Sequence, residues 1–294
     1  MKKILCFILV LITGAKIFAQ ERPLVLATYA YSTNTRLDNL KPLAEYLQKK
    51  TGRQVNAVSY PSVQELIAAI VDGKVDLAMI NTLGYLSFCR KYGNPALPLV
   101  TLNNGKGGAT NYGGCIIAQA SATMERTKDS VVTLALVNTS STSGNLVPRL
   151  LFNAIGMPEV ERFFKVYYAG THKQVVDDVL SGKAVAGGCG CNEYEKALKA
   201  DRHFHKKVKL LAKFNNIPLG PIVFNRTMPV VLQRQIREAL LNIHLEAPSV
   251  FATFRDGWTE FLDCNSFRLA ADSDYDQFRE MFGNNESLWK LLDE

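Results

Sequence analysis

The sequence predicts an α/β protein of two lobes with a ligand cleft between them. Three observations carry this. Strand-like and helix-like segments alternate from residue 23 onward, a glycine-rich stretch at 103–114 breaks the series, and a second alternating series follows it. The two series also share a cadence: "QELIAAIVDGKVDLA" and "QVVDDVLSGKAVAG" each run from an amphipathic helix through Gly-Lys into an apolar strand.

The first series opens with "PLVLATY" (23–29), a buried strand. In "LDNLKPLAEYLQKKTG", Leu40, Leu43, Ala44 and Leu47 recur at helical spacing and Gly52 supplies the stop. Strand "QVNAVSY" leads to helix "SVQELIAAIVDG", capped by Ser62, with Val63, Leu66, Ile67, Ile70 and Val71 expected on one face. Strand "VDLAMI" ends at Asn81. A β-α-β-α-β order implies parallel strands with crossover helices.

Beyond the glycine-rich connector come strands "CIIAQA" and "VVTLALV", then a helix running to Ile155 and stopped by Gly156. Strand "FFKVYYA", helix "KQVVDDVLSG" and strand "KAVAGG" complete the second series. "KVKLLAKF" and "PIVF" read as strands, the second returning to the first lobe, and helix "VVLQRQIREALLNIHLE" precedes a helical C-terminal region. The expected boundaries are 20–112 for the first lobe, 113–222 for the second, and 223–294 for the return to the first lobe with its helices.

Residues 1–19 read as an export signal: basic "MKK", an apolar run shorter than a membrane span, and a small residue at Ala19 for cleavage. An uncleaved anchor is the alternative. Removing Lys2, Lys3 and Lys16 from 34 basic residues against 27 acidic ones leaves a modest positive excess, scattered rather than blocked, so no nucleic-acid partner is expected. Cys89, Cys115, Cys189, Cys191 and Cys264 remain after the signal, an odd count that permits bridges and leaves at least one thiol. "CGC" at 189–191 lacks the second spaced pair of a zinc site, so neither metal nor cofactor is expected.

In such a fold the turns after the strands face the cleft. The first carries Tyr29, Tyr31, Ser32 and Thr33; the second carries Asn81 and Thr82. The third, "NTSSTSGNLVP" (138–148), holds more hydroxyls than a helix cap needs. A helix starting near Ser143 presents unpaired amides and its positive end, and Ser141, Thr142 and Ser143 add donors there, with Gly144 keeping the backbone approachable. That combination suits a tetrahedral oxyanion. His172 stands in the equivalent turn of the second lobe, just before its helix, where a functional and a structural role are equally open. His203, His205 and His244 sit in solvated contexts.

"STSGNLVP", "AGTH…VVDDVLSGKAVA", "NLKPLAEYLQKKTGRQVNAV" and "GKVDLAMIN" together resemble the phosphonate, phosphate and phosphite-binding proteins of ABC transporters, from about Leu24 to about Phe224. The resemblance implies a two-lobed periplasmic binding protein fold of type II-like form, with ligand in the inter-lobe cleft. It implies a periplasmic monomer delivering a small oxyanion to a membrane permease. By it Ser141, Thr142, Ser143 and His172 carry over as ligand residues, and Tyr31, Asn81 and Thr82 join them from the cleft-facing turns. Aminoalkyl-phosphonate binders in the family carry an acid just before the late-strand proline. Here Gly220 stands there, with Val63 and Ile80 in place of two aromatics and Asn192 or Glu193 near the other acidic position. The expected ligand is therefore phosphate, phosphite or alkylphosphonate rather than aminoethylphosphonate. Two other outputs stay open: a ligand-sensing subunit for a membrane kinase, and a hydrolase with Cys189 or Cys191 as nucleophile and His172 as base.

Overall fold

A computed structural model describes residues 22–32, 34–106, 110–122 and 132–292; the expected export signal at 1–19 and Thr33 lie outside them. Two sheets organise the chain. The six-stranded sheet runs β11-β4-β10-β3-β1-β2, built from β1 (Leu24–Tyr29), β2 (Val55–Tyr60), β3 (Leu77–Met79), β4 (Ala96–Asn103), β10 (Ile222–Asn225) and β11 (Ser266–Leu269). The five-stranded sheet runs β7-β6-β8-β5-β9, from β5 (Asn111–Gln119), β6 (Thr133–Leu136), β7 (Lys165–Tyr168), β8 (Ala186–Gly190) and β9 (Val208–Pro218).

The expected parallel order holds where helices cross over: β1 pairs in parallel with β2 and β3, and β6 with β7 and β8. The crossings break it. β5 and β9 pair antiparallel as they enter and leave the second sheet, and β10 slots antiparallel between β3 and β4. A strand arriving from the other lobe has no crossover helix to set its direction. The last four residues of the expected glycine-rich loop are strand, since β5 begins at Asn111, and β11 lies in a region read as helical.

Side chains alternate across β1. Leu24 and Leu26 join the core beneath α1 (Leu37–Thr51), α7 (Val230–Glu246) and α8 (Pro248–Arg255). Ala27 and Tyr29 face α2 (Val63–Val71) and α3 (Thr82–Tyr92). α1 buries Leu40, Leu43, Ala44 and Leu47 as its spacing requires, and Gly52 closes it at φ 68°. Val71 departs from expectation at 38% exposed, one residue round the helix from buried Ile70 and outside the stripe. In the second sheet α5 (His172–Ser181) and α6 (Cys191–Ala200) cover one face and α4 (Val147–Ala154) the other. His203 and His205 are exposed, and His244 is half-buried. No helix among the described residues is long and apolar enough to cross a membrane.

Candidate functional site

The turns after β1, β2, β3, β6 and β7, with Tyr112 of β5, the first turn of α6 and the segment after α8, line a cavity of about 420 Å³ between the sheets. The hydroxyl-rich turn forms one wall. Ser141 caps the helix by accepting the Gly144 amide at 3.1 Å, and the first turn, Thr142–Leu146, is π-helical, with the Leu146 amide reaching the Ser141 carbonyl at 3.1 Å. Such wide turns recur at functional sites. The opening amides of Thr142 and Ser143 have no acceptor within the helix. The Ser143 hydroxyl has no hydrogen-bond partner among the described residues, while Thr142 Oγ1 accepts the Leu83 amide at 3.0 Å and so ties the two lobes. Gly144 is required for a different reason from the one expected. A Cβ there would lie 2.2 Å from Val137 Cγ2 and 3.0 Å from His172 Cε1, so the glycine lets the turn pack against both.

His172 opens α5, whose cap is Thr171. Its Nδ1 accepts the Gly190 amide at 2.9 Å, which leaves the proton on Nε2 as a donor to the cavity. Burial, with help from the Arg36 charge, lowers its pKa from 6.5 to about 4. The imidazole is therefore a neutral donor. Tyr31 stacks on it at 6.0 Å between ring centroids, and its hydroxyl accepts the His172 amide at 3.0 Å. Asn81 lines the cavity with both ends occupied: Oδ1 accepts the Gly84 amide as the α3 cap, and Nδ2 donates to the Ser140 carbonyl at 2.8 Å.

Thr82 falls outside the site. It is fully buried and donates to the Pro218 carbonyl at 2.5 Å. Gly220 is also displaced from its expected place. A Cβ there would meet the Ile80 carbonyl oxygen at 2.1 Å, so the position packs on backbone and could hold no acid. Glu193 pairs with Lys196 and does not line the cavity, whereas Asn192 does, donating to the Thr259 carbonyl at 3.4 Å. The thiol hydrolase reading fails on its nucleophile. Cys191 is bridged to Cys115, and burial pushes the Cys189 thiol up to about 12.

The largest omission from the sequence reading is Arg36. It sits at a left-handed φ of 59° just before α1, is 5% exposed, and donates through Nε to the Gly257 carbonyl at 3.0 Å. Its guanidinium carbon lies 4.8, 5.3 and 4.8 Å from the ring centroids of Tyr29, Tyr31 and Trp258. Glu260, more than two hundred positions away in the chain, lines the same wall, and burial raises the pKa of its carboxyl. The left-handed residue is a backbone fact, and the partners come from the far end of the sequence. No local pattern marks either.

A sequence model of the family described as the periplasmic substrate-binding protein of phosphonate ABC transporters matches residues 27–275. Among solved structures, a Xanthomonas citri protein bound to ATP is similar at TM-score 0.71 and 19% identity, over 92% of this chain and 98% of that one. PhnD1 from Prochlorococcus marinus, in complex with methylphosphonate, superposes at TM-score 0.69 and 15% identity, over 92% and 98%. A binding component of a Pseudomonas aeruginosa phosphonate transporter does so at 0.67 and 17%, over 93% and 95%. At these identities the structures share the two-lobed fold.

Proposed function

The chain belongs to the periplasmic substrate-binding proteins of phosphonate ABC transporters, binders rather than enzymes, and we propose that it captures a small phosphorus oxyanion in the cleft. The observation that carries this is the His172 ring. With Nδ1 held by the Gly190 amide, its remaining proton sits on Nε2, and His172 lines the same cavity as Thr142 and Ser143 at the helix start. Neutral donors converging on a helix start hold a tetrahedral oxyanion without a facing cation. Ser141, Thr142, Ser143, His172, Tyr31 and Asn81 make up the proposed site, with Ser141 and Tyr31 acting partly through the groups they position. The cavity of about 420 Å³ falls within the ~300–1,000 Å³ usual for small-molecule sites, which favours an alkylphosphonate or phosphate ester over bare phosphate or phosphite. The protein acts as an exported monomer, its signal removed near Ala19, with lobes meeting near residues 112 and 222.

The test is calorimetry with the purified protein against phosphate, phosphite, methylphosphonate and sulfate. A phosphorus anion should bind, and Ser143→Ala should weaken it by about tenfold, since a hydrogen bond to a charged group contributes ~1.5–3 kcal/mol. Sulfate as the sole binder, or no binder in the panel, would sink the reading.

A further inference from the structure

Arg36 and Glu260 line the cavity as charged side chains with no ion pair among the described residues. Asp256, the other carboxylate on the wall, is matched by Arg255 at 2.8 Å, and His172 is neutral. Arg36 and Glu260 influence each other electrostatically, yet no ion pair joins them. The guanidinium is held by three aromatic faces and the Gly257 carbonyl, and its Nη1 is buried with no acceptor. Burying a charge in this way is costly unless a counter-charge arrives.

Tyr31 touches both groups, with the Arg36 guanidinium over its ring at 5.3 Å and the His172 ring stacked on it at 6.0 Å between centroids. The Tyr31 ring is therefore shared by the guanidinium and the histidine of the phosphorus site.

We propose that Arg36 and Glu260 form a second subsite that recognises a zwitterionic end on the ligand's substituent, a carboxylate at Arg36 and an ammonium at Glu260. This rests on the reading of the hydroxyl-rich turn as the phosphorus site and names the substrate class of that same cleft: a phosphonate bearing an amino-acid-type end. The complementarity is a matter of charge. An end carrying only a carboxylate confronts Glu260, one carrying only an ammonium confronts Arg36, and an uncharged end brings a counter-charge to neither. Tyr29 and Tyr31, which line the cavity beside the guanidinium, supply the aliphatic linker with apolar walls. The pair also supplies the acidic group that Gly220 cannot, from a different part of the chain.

Calorimetry with methylphosphonate, phosphonoacetate, aminoethylphosphonate and phosphonoalanine tests this with the full protein, Glu260→Gln and Arg36→Lys. Phosphonoalanine, which carries both charges, should bind wild type at least about tenfold more tightly than methylphosphonate, the scale of one hydrogen-bonded charge pair. Glu260→Gln, nearly isosteric, should remove most of that advantage while methylphosphonate affinity changes little. Arg36→Lys keeps the charge but loses the planar fork and should reduce it as well. Equal affinity for all four phosphonates would overturn the subsite and leave the phosphorus site standing. Tightest binding of phosphonoacetate or aminoethylphosphonate would equally overturn the zwitterionic assignment. Binding of phosphate or phosphite with none of these four would overturn the subsite and leave the phosphorus site standing, whereas no binding by any phosphorus anion would overturn both readings.

Discussion

The Gly190 amide donates to His172 Nδ1 at 2.9 Å, and this contact decides how the cleft responds to pH. Protonating Nδ1 would point two N–H groups at each other, so the ring stays neutral and donates only through Nε2. An anion alone would draw a histidine toward the charged form and make affinity fall as pH rises. The geometry removes that response. Binding of monomethyl methylphosphonate, a permanent monoanion, should be flat from pH 5 to pH 8 in calorimetry. His172→Gln, which can both accept and donate, should retain more affinity than His172→Ala.

The same residue sets a stability slope. Its folded pKa, about 4, lies below the unfolded value of 6.5. Between those values the unfolded chain binds the extra proton, so stability is complete above pH 6.5 and is lost as pH falls toward 4. The slope is about 1.4 kcal/mol per pH unit from this one group. Urea unfolding of His172→Gln over that window should show a shallower loss than wild type; parallel curves would place the proton elsewhere.

The three adjacent hydroxyls should separate in mutagenesis because they are bonded differently. Ser141→Ala removes the acceptor of the Gly144 amide and should cost about 0.5–2 kcal/mol of stability as a lost cap. The Ser143 hydroxyl has no hydrogen-bond partner among the described residues to lose, so Ser143→Ala should lower affinity with the denaturation midpoint unchanged. Thr142→Val strands the Leu83 amide between the lobes and should lower both.

What the sequence made legible follows its local periodicities. Leu40, Leu43, Ala44 and Leu47 bury because helical spacing aligns them, and Ser62 and Gly52 end their helices by turn chemistry that needs only neighbours. The hydroxyl turn and His172 were legible for the same reason, each being a strand-to-helix junction. Arg36 and Glu260 were not, since only the return of the chain through α8 brings them to one wall. Gly220 misled because a missing side chain reads alike whether it opens a ligand pocket or admits a backbone.

Gly220→Asp distinguishes those two meanings. A carboxylate installed there should not create an ammonium site, because its Cβ would lie 2.1 Å from the Ile80 carbonyl oxygen. The variant should instead lose about 1–3 kcal/mol as an overpacked position, read by the denaturation midpoint. A gain in aminoethylphosphonate affinity with unchanged stability would contradict the packing.

Cys115 and Cys191 close a loop with a sequence separation of 76, and Cys191 directly follows the Gly190 that orients His172. A loop of that length is worth about 4 kcal/mol in the chain-entropy view. Reductant should therefore lower the melting temperature and also weaken ligand binding, because the first turn of α6 loses its anchor beside the site. In denaturant without reductant, Cys89, Cys189 and Cys264 should label with a thiol reagent while Cys115 and Cys191 stay protected. Labelling of all five would show the bridge absent.

Tyr31 offers the sharpest test of how the cleft stays shut. Its hydroxyl accepts the His172 amide, while its ring contacts Arg36 and His172. Tyr31→Phe keeps both ring contacts and removes only the acceptor, leaving the first amide of α5 without its partner from the other lobe. An unsatisfied buried donor costs about 1–3 kcal/mol. That cost falls on the closed form alone, since water can reach the amide once the lobes part. The closed population should fall, and apparent affinity should drop by about tenfold or more with the competent fraction. Dissociation should account for most of the change, because the lost tie acts after the lobes have met. Small-angle scattering should show a larger radius for ligand-free Tyr31→Phe than for wild type, converging at saturating ligand. If affinity drops while the two ligand-free profiles coincide, the hydroxyl serves the ligand directly, and the inter-lobe tie is incidental.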